Sequence, residues 1–321
     1  MQVKNGKNRR VLVTGGAGFI GSHLVDALVQ GGCDVKVLDN LTTGHLDNLA
    51  GVKGRIAFSK GDIRNKALLM SLAEGCDVIY HQAAIVSVPQ TVEDPVGSTD
   101  INELGTLNVL ESARNRNVKR VVIASSCAVY GNDPQLPKQE RMVPSPESPY
   151  AVQKLHGEQH ARLYSKIYGV ETVCLRYFNV YGPRQDPRSP YSGVISIFLS
   201  KAAAGEPPVI YGDGEQSRDF VYVKDVVKAN LLAGETESAG GACVNVGTGC
   251  SVTINALWEM ISSISNCRAV PQHTAVRVGD VVASRAGTDH AASILGFKPD
   301  YPFDKGLETT FRWYVETKKN T

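Results

Sequence analysis

The chain has little excess charge of either sign, few tryptophans and methionines, and no long apolar run. Over 321 residues, 34 lysines and arginines nearly balance 32 aspartates and glutamates, which leaves a formal charge of +2. That balance argues against a nucleic-acid binder and against a protein held on an anionic membrane. No stretch of about 18 apolar residues exists to span a bilayer. The run behind the basic start MQVKNGKNRR is interrupted by Gly15, Gly16, Gly18 and Gly21, which is unlike a signal-peptide core. A soluble, cytoplasmic protein is expected. Seven cysteines stand at 33, 76, 127, 174, 243, 250 and 267. Their number is odd, no CxxC occurs, and no His/Cys cluster has zinc spacing, so reduced and mostly buried thiols are expected rather than a disulfide framework or a metal site. Repeats and low-complexity segments are also lacking.

What is present is a regular alternation. RRVLVTGG, DVKVLDN, RIAFSKGD, CDVIYHQAA, KRVVIASS and VETVCLRYFNVYG read as strands, with helical patterns at 18–30, around 99–115 and after Pro149. Ile20, Leu24 and Leu28 form one stripe of the first helix, and Gly31-Gly32 stops it. Strands alternating with helices imply βαβ units and therefore an α/β fold with a doubly wound parallel sheet. The basic residues Arg114, Arg116, Lys119 and Arg120 read as solvated charge at a helix end. After about residue 180, proline and glycine become dense and the alternation fades. The expected division is a cofactor-binding domain over 1–180 and a smaller substrate domain over 181–321, with some segments of the latter returning to the sheet. Ligands of such sheets bind beyond the carboxyl ends of the strands.

VLVTGGAGFIGSH places Gly15-x-x-Gly18-x-x-Gly21 between a strand and a helix, one residue off the familiar GxGxxG. Such glycines allow a tight turn and close approach of backbone to a pyrophosphate at a helix N-terminus. Asp39 ends the second strand, where a carboxylate accepts hydrogen bonds from ribose hydroxyls and repels a 2′-phosphate; NAD is therefore expected over NADP. Asp62 and Ile63 end the third strand, near the adenine. Ala83 and Ala84 end the fourth, where small residues let the cofactor pass.

In SPESPYAVQKLHGE, Ser148 suits a helix cap and Pro149 the first helical position, so Tyr150 and Lys154 fall at i and i+4 on one face. A phenolate base at pH 7 requires its pKa to fall by about three units from a free value near 10. A neighbouring ammonium and an oxidised nicotinamide supply positive charge of that order.

At this point the whole chain resembles the extended short-chain dehydrogenase/reductase family. The matching segments are TGGAGFIGSH, GDI, HQAA, SSCAVYG, YAVQK, LRYFNVYGPRQ, GDGEQSRDFVYVKDV and RVGD, and within the family the chain is most similar to nucleotide-sugar 4-epimerases. The resemblance implies a Rossmann-type fold with a smaller C-terminal α/β domain, tightly held NAD, and a homodimer formed through the helices near 99–115 and 149–168. It implies Ser126, Tyr150 and Lys154 as catalytic residues, with Ser126 binding the sugar oxygen and relaying its proton. Gly15, Gly18, Phe19, Ile20, Gly21, Asp39, Asn40, Asp62, Ile63, Ala83, Ala84, Ser125, Tyr150, Lys154 and Tyr177 are implied to bind the cofactor. The related dehydratases carry Asp and Glu at the two positions after the serine, and decarboxylating relatives keep a Glu at the second. Here these positions hold Cys127 and Ala128, neither of which performs carboxylate acid–base work, so elimination and decarboxylation are disfavoured. No cation or histidine stands beside Cys127 in sequence to make it a nucleophile.

For a UDP-sugar substrate, the resemblance points to Ser87, Ser126, Tyr150, Asn179, Val194, Ile195, Tyr211, Arg218, Arg277, Asp280 and Ser284. Two arginines suit a diphosphate, although Arg218 could instead pair with the adjacent Asp219. Position 284 gates the pocket in the family. A tyrosine there restricts it to plain hexoses, whereas serine leaves room for a 2-acetamido group, which favours UDP-N-acetylglucosamine alongside UDP-glucose. Gly287 stands where the family's SxAD segment has Asp. UDP-glucuronate is the alternative substrate, with Arg184 or Arg188 as candidates for its carboxylate; net oxidoreduction, dehydration and non-catalytic NAD binding are the alternative roles.

Overall fold

A computed structural model describes residues 9–186, 193–276 and 281–319. Six strands follow the order of the sequence: β1 (Arg10–Thr14), β2 (Asp34–Asp39), β3 (Ile56–Lys60), β4 (Val78–His81), β5 (Arg120–Ser126) and β6 (Glu171–Tyr177). A seventh strand, Cys243–Val246, joins beside β6, and the spatial order is seventh–β6–β5–β4–β1–β2–β3. Every pairing in this sheet is parallel. The strands are apolar on both faces because helices cover both. Val11 and Val13 join one core with Leu24 and Leu28 of the first helix, Phe19–Gln30, and with Val226. Leu12 points the other way, into a second core with Leu69, Val109, Leu110 and Ala161. This is the doubly wound Rossmann architecture that the alternating pattern predicts.

Beyond β6 the chain leaves the sheet. The expected single strand VETVCLRYFNVYG is divided at Phe178, and Asn179–Tyr181 pairs in parallel with Phe220–Tyr222 instead. A third apolar cluster joins the helices Val194–Ala204, Ile254–Ser265 and Phe303–Lys319. The chain crosses residue 180 more than once, since the helix Val223–Glu235 packs under the main sheet and Cys243–Val246 pairs within it. No helix among the described residues is long and apolar enough to cross a membrane. All seven cysteines are free thiols, four of them buried.

Candidate active site

The order of the sheet reverses between β1 and β4, and this crevice is where the carboxyl ends of the strands bring the predicted residues together. At the end of β1, Gly15 adopts φ +69°, and a Cβ there would stand 2.6 Å from the Ala83 nitrogen beyond β4. A Cβ on Gly21 would lie 2.1 Å from the Gly15 carbonyl oxygen. Only glycine fits either place, so the first helix opens directly on the turn with its N–H groups free to receive a phosphate. Phe19 and Ile20 follow the Gly18 cap and pack partly against the C-terminal cluster. The buried Asp39 carboxylate accepts from the backbone N–H groups of Ala17 (2.9 Å) and Leu41 (2.8 Å), which fixes it beside the glycine turn. These features fit a dinucleotide: a cradle emptied of side chains, a helix N-terminus and a clamped carboxylate.

The outer cofactor residues are more committed than their sequence positions suggest. Asp62 lies two residues beyond β3 and accepts from Arg64 and from Asn40, which holds its carboxyl down at about 2, chiefly through the Arg64 hydrogen bond. Ile63 turns its side chain into the second core. The Tyr177 hydroxyl is engaged with Gln82 and Asn230. Ala84 follows Ala83 in the coil after β4.

The long helix, Pro149–Tyr168, begins as the sequence predicts, with the Ser148 hydroxyl accepting from the Ala151 N–H (3.2 Å) and Pro149 in the first turn. Tyr150 and Lys154 project together, the Lys154 Nζ 5.8 Å from the Tyr150 ring centroid. Lys154 donates to the Ala124 carbonyl of β5 (2.9 Å), and the Ser126 side chain stands on the Tyr150 hydroxyl side, where it favours the phenolate. The protein by itself does not lower the phenol as expected. Burial pushes Tyr150 up to about 12 against the opposing effect of Ser126, and burial brings Lys154 down to about 8. Desolvation penalises both charged forms at once. Ser126 caps the short turn Cys127–Tyr130. The Cys127 thiol is pushed up to about 12, first by burial and then by Asp219, so it is neutral at pH 7 and unsuited to attack. Ser125 is the exception among the clustered residues. Its hydroxyl turns away into the sheet–helix interface and donates to Glu158, leaving only its backbone on the cofactor side.

The residues expected to bind the substrate are spread over several elements. Asn179 donates its N–H to the Asp219 carbonyl (3.0 Å), and the Arg218 Nη1 lies 2.9 Å from the Ser217 carbonyl. The Asp219 carboxylate is filled by Thr248, Gly249 and Ala286 donors rather than by Arg218, so it ties loops together. Ser87 caps the helix Val88–Glu93. Ile195 lies in the third core while Val194 is partly buried at its edge, and Tyr211 is exposed at a strand end. Ser284 is 7% exposed, and its hydroxyl has no hydrogen-bond partner. Gly287 now has a reason: its N–H donates to the Lys138 carbonyl, from which a Cβ would be only 2.9 Å away. Arg184, a candidate for a uronate carboxylate, is instead paired with Asp26 of the first helix at 2.7 Å. Arg188, Arg277 and Asp280 lie outside the described residues.

Residues 11–247 match the model of the NAD dependent epimerase/dehydratase family. The chain belongs to that family. It is 38% identical over 309 residues to a UDP-glucose 4-epimerase of Mycolicibacterium smegmatis, covering 95% of this chain and 98% of that one. Among solved structures it is similar to a UDP-N-acetylglucosamine 4-epimerase from Methanobrevibacter ruminantium, in complex with UDP-N-acetylmuramic acid. That match has 40% identity and a TM-score of 0.93, covering 97% and 99% of the two chains. A UDP-glucose 4-epimerase of Thermus thermophilus, in complex with NAD, matches at 38% identity and a TM-score of 0.86, covering 95% and 98%. As a member of the epimerase/dehydratase family the chain is an enzyme, an isomerase whose cofactor is NAD.

Sequence reasoning about this epimerase/dehydratase site missed its buried polar support. His81 bridges Thr14 of β1 (2.8 Å) and Thr106 (3.0 Å), and burial lowers it to about 3. Asn102 sits in a π-helical turn, Asp100–Leu104, and holds Ile85 through both its N–H and its carbonyl while donating to Gln153. The HQAA segment contains the histidine, but nothing in sequence spacing brings Thr106 or Asn102 to it.

Proposed function

We propose that the enzyme inverts C4 of a UDP-hexose through a transient 4-keto sugar, accepting UDP-N-acetylglucosamine and UDP-N-acetylgalactosamine as well as UDP-glucose and UDP-galactose. The observation that carries this reading is the placement of Tyr150 between Ser126 and Lys154, at the carboxyl edge of the sheet, in a site with no carboxylate at positions 127 and 128. Oxidation and reduction at one carbon need, besides a hydride carrier, only a proton relay from the protein, whereas elimination needs a second acid–base pair. Bound NAD supplies a hydride acceptor, a hydride donor for the opposite face, and positive charge in its oxidised ring. Tyr150 takes the C4 hydroxyl proton and returns it, Ser126 orients the sugar oxygen, and Lys154 stabilises the phenolate. Gly15, Gly18, Gly21 and Asp39 hold the cofactor, while Arg218, Asn179, Arg277 and Asp280 hold the diphosphate and ribose.

Breadth toward the 2-acetamido sugars rests on Ser284, a small buried side chain where a tyrosine would take up far more space. The pairing of Arg184 with Asp26 weighs against UDP-glucuronate. The exposed apolar side chains Leu104, Leu163, Ile167 and Tyr168 on the helices near 99–115 and 149–168 support a homodimer. The test is incubation of purified protein, without added NAD⁺, with UDP-N-acetylglucosamine, UDP-glucose and UDP-glucuronate separately, followed by proton NMR. Galacto epimers from the first two support the reading. A lasting absorbance change at 340 nm with stoichiometric product would show net oxidoreduction instead, and no product even with NAD⁺ supplied would refute the chemistry.

A further inference from the structure

Ser125 of β5, Arg176 of β6 and Asn245 of the seventh strand are register partners, so their side chains form a row on the face that the long helix covers. Glu158 descends from that helix into the row. Its Oε1 accepts from the Ser125 hydroxyl and from Arg176 Nε (2.9 Å), and its Oε2 accepts from Arg176 Nη2 (2.7 Å). Glu158 is 8% exposed and Arg176 4%. On the far side the Arg176 guanidinium stands 4.8 Å from the centre of the Tyr130 ring. The Tyr130 hydroxyl donates to Asn245 (2.7 Å), which in turn donates to the Lys138 carbonyl. Such a pair adds little net stability in place of apolar packing, because desolvation offsets the attraction. Its location is more telling: Glu158 stands one helical turn after Lys154, and Ser125 immediately precedes Ser126.

We propose that Glu158, anchored by Arg176 and Ser125, is a positioning residue. It fixes the register of the helix bearing Tyr150 and Lys154 against the strand bearing Ser126, and it keeps a negative charge on the Lys154 side of the interface. This inference rests on the roles assigned above to Tyr150 and Lys154. The groups around the Lys154 ammonium are Tyr150 and Glu158 on its own helix, the Ala124 carbonyl on β5, Cys174 on β6, and His81 on β4. Burial keeps His81 and Cys174 uncharged near neutral pH, so Glu158 is the charge that faces Lys154, and Arg176 is the opposite charge paired with it. Losing Glu158 leaves the cation, which disfavours a second positive charge on Lys154. Losing Arg176 leaves the anion and does the reverse.

The experiment is competitive acetylation of Lys154 with acetic anhydride across pH, quantified by mass spectrometry in the full chain. Glu158→Gln is expected to lower the Lys154 titration by about one pH unit and Arg176→Gln to raise it by a similar amount, whereas Glu158→Gln/Arg176→Gln falls between them. Ser125→Ala leaves the titration in place and lowers turnover. The alkaline limb of epimerase activity, measured with NAD bound, should move with the same signs. Merely weakened packing would lower melting temperature without displacing Lys154 in opposite directions. Unmoved titrations, or shifts of the same sign, in the folded variants overturn the proposal; the double variant retains amide hydrogen bonding and serves where a single one does not fold. Displaced titrations in a protein inert toward every UDP-sugar would leave the positioning role standing and sink the epimerase reading.

Discussion

At the scale of single residues, the proposed catalytic pair, Tyr150 and Lys154, is held in a state that water would not choose. Tyr150 near 12 and Lys154 near 8 are both displaced toward their neutral forms by burial. A neutral phenol is no base, so activity depends on positive charge arriving beside it, and Tyr150→Phe should reduce turnover by about 10²–10⁴-fold or more. NAD content measured after denaturation should be unchanged in that variant. Lys154 also carries a stability consequence with a definite sign. Its folded pKa lies below its unfolded value near 10.5, so the unfolded chain binds the proton more readily and stability rises as pH climbs from about 8 toward 10.5. Replacement by methionine should therefore raise the melting temperature at pH 7 by a few degrees, on the order of 1–3 kcal/mol, while abolishing activity. A melting temperature that falls would show that the Ala124 hydrogen bond outweighs desolvation. Ser284→Tyr is the specificity test of the proposed breadth, because the larger side chain should lower kcat/KM for UDP-N-acetylglucosamine about 10–200-fold relative to UDP-glucose.

At the scale of elements, the glycine turn and the long helix were the parts written most plainly in the sequence. Gly15 and Gly21 are explained by backbone crowding alone, and Ser148-Pro149 announces the helix start that puts Tyr150 and Lys154 on one face. Gly21→Ala should lose bound NAD, since a methyl at 2.1 Å from the Gly15 carbonyl oxygen forces the turn open. Retention of stoichiometric NAD after gel filtration would contradict that account. What the sequence concealed depends on contacts between separate elements. Arg176 reads as an odd charge in an apolar strand, and only the packing of the long helix over β5 and β6 gives it a partner, Glu158. The division of VETVCLRYFNVYG at Phe178 has the same origin: Tyr177 is the last residue with a partner in β5, and beyond it the chain pairs with Phe220–Tyr222.

At the scale of the molecule, two histidines, His81 fully buried and His23 half-buried, are held uncharged near neutral pH, and they couple the whole fold to pH. His81 links β1 to the Gly105–Asn115 helix through Thr14 and Thr106, and burial lowers it to about 3. His23 lies on the first helix with its Nε2 2.9 Å from the Pro183 carbonyl, joining the nucleotide-binding half to the chain after β6; burial lowers it to about 4. An unfolded histidine titrates near 6.5, so below that pH the unfolded chain takes up protons that the folded one refuses. The stability these groups contribute is fully present above pH 6.5 and declines toward 4 for His23 and toward 3 for His81. At pH 5 each accounts for a loss of about 2 kcal/mol. His23→Gln can keep a donor to the Pro183 carbonyl without the ionisation, so it should flatten the fall of chemical-denaturation midpoint between pH 7 and pH 5 by about half of the histidine contribution. A slope identical to wild type would mean that His23 is protonated in the folded state, with its charge stabilised by Asp26 and the Pro183 carbonyl against the opposing Arg184.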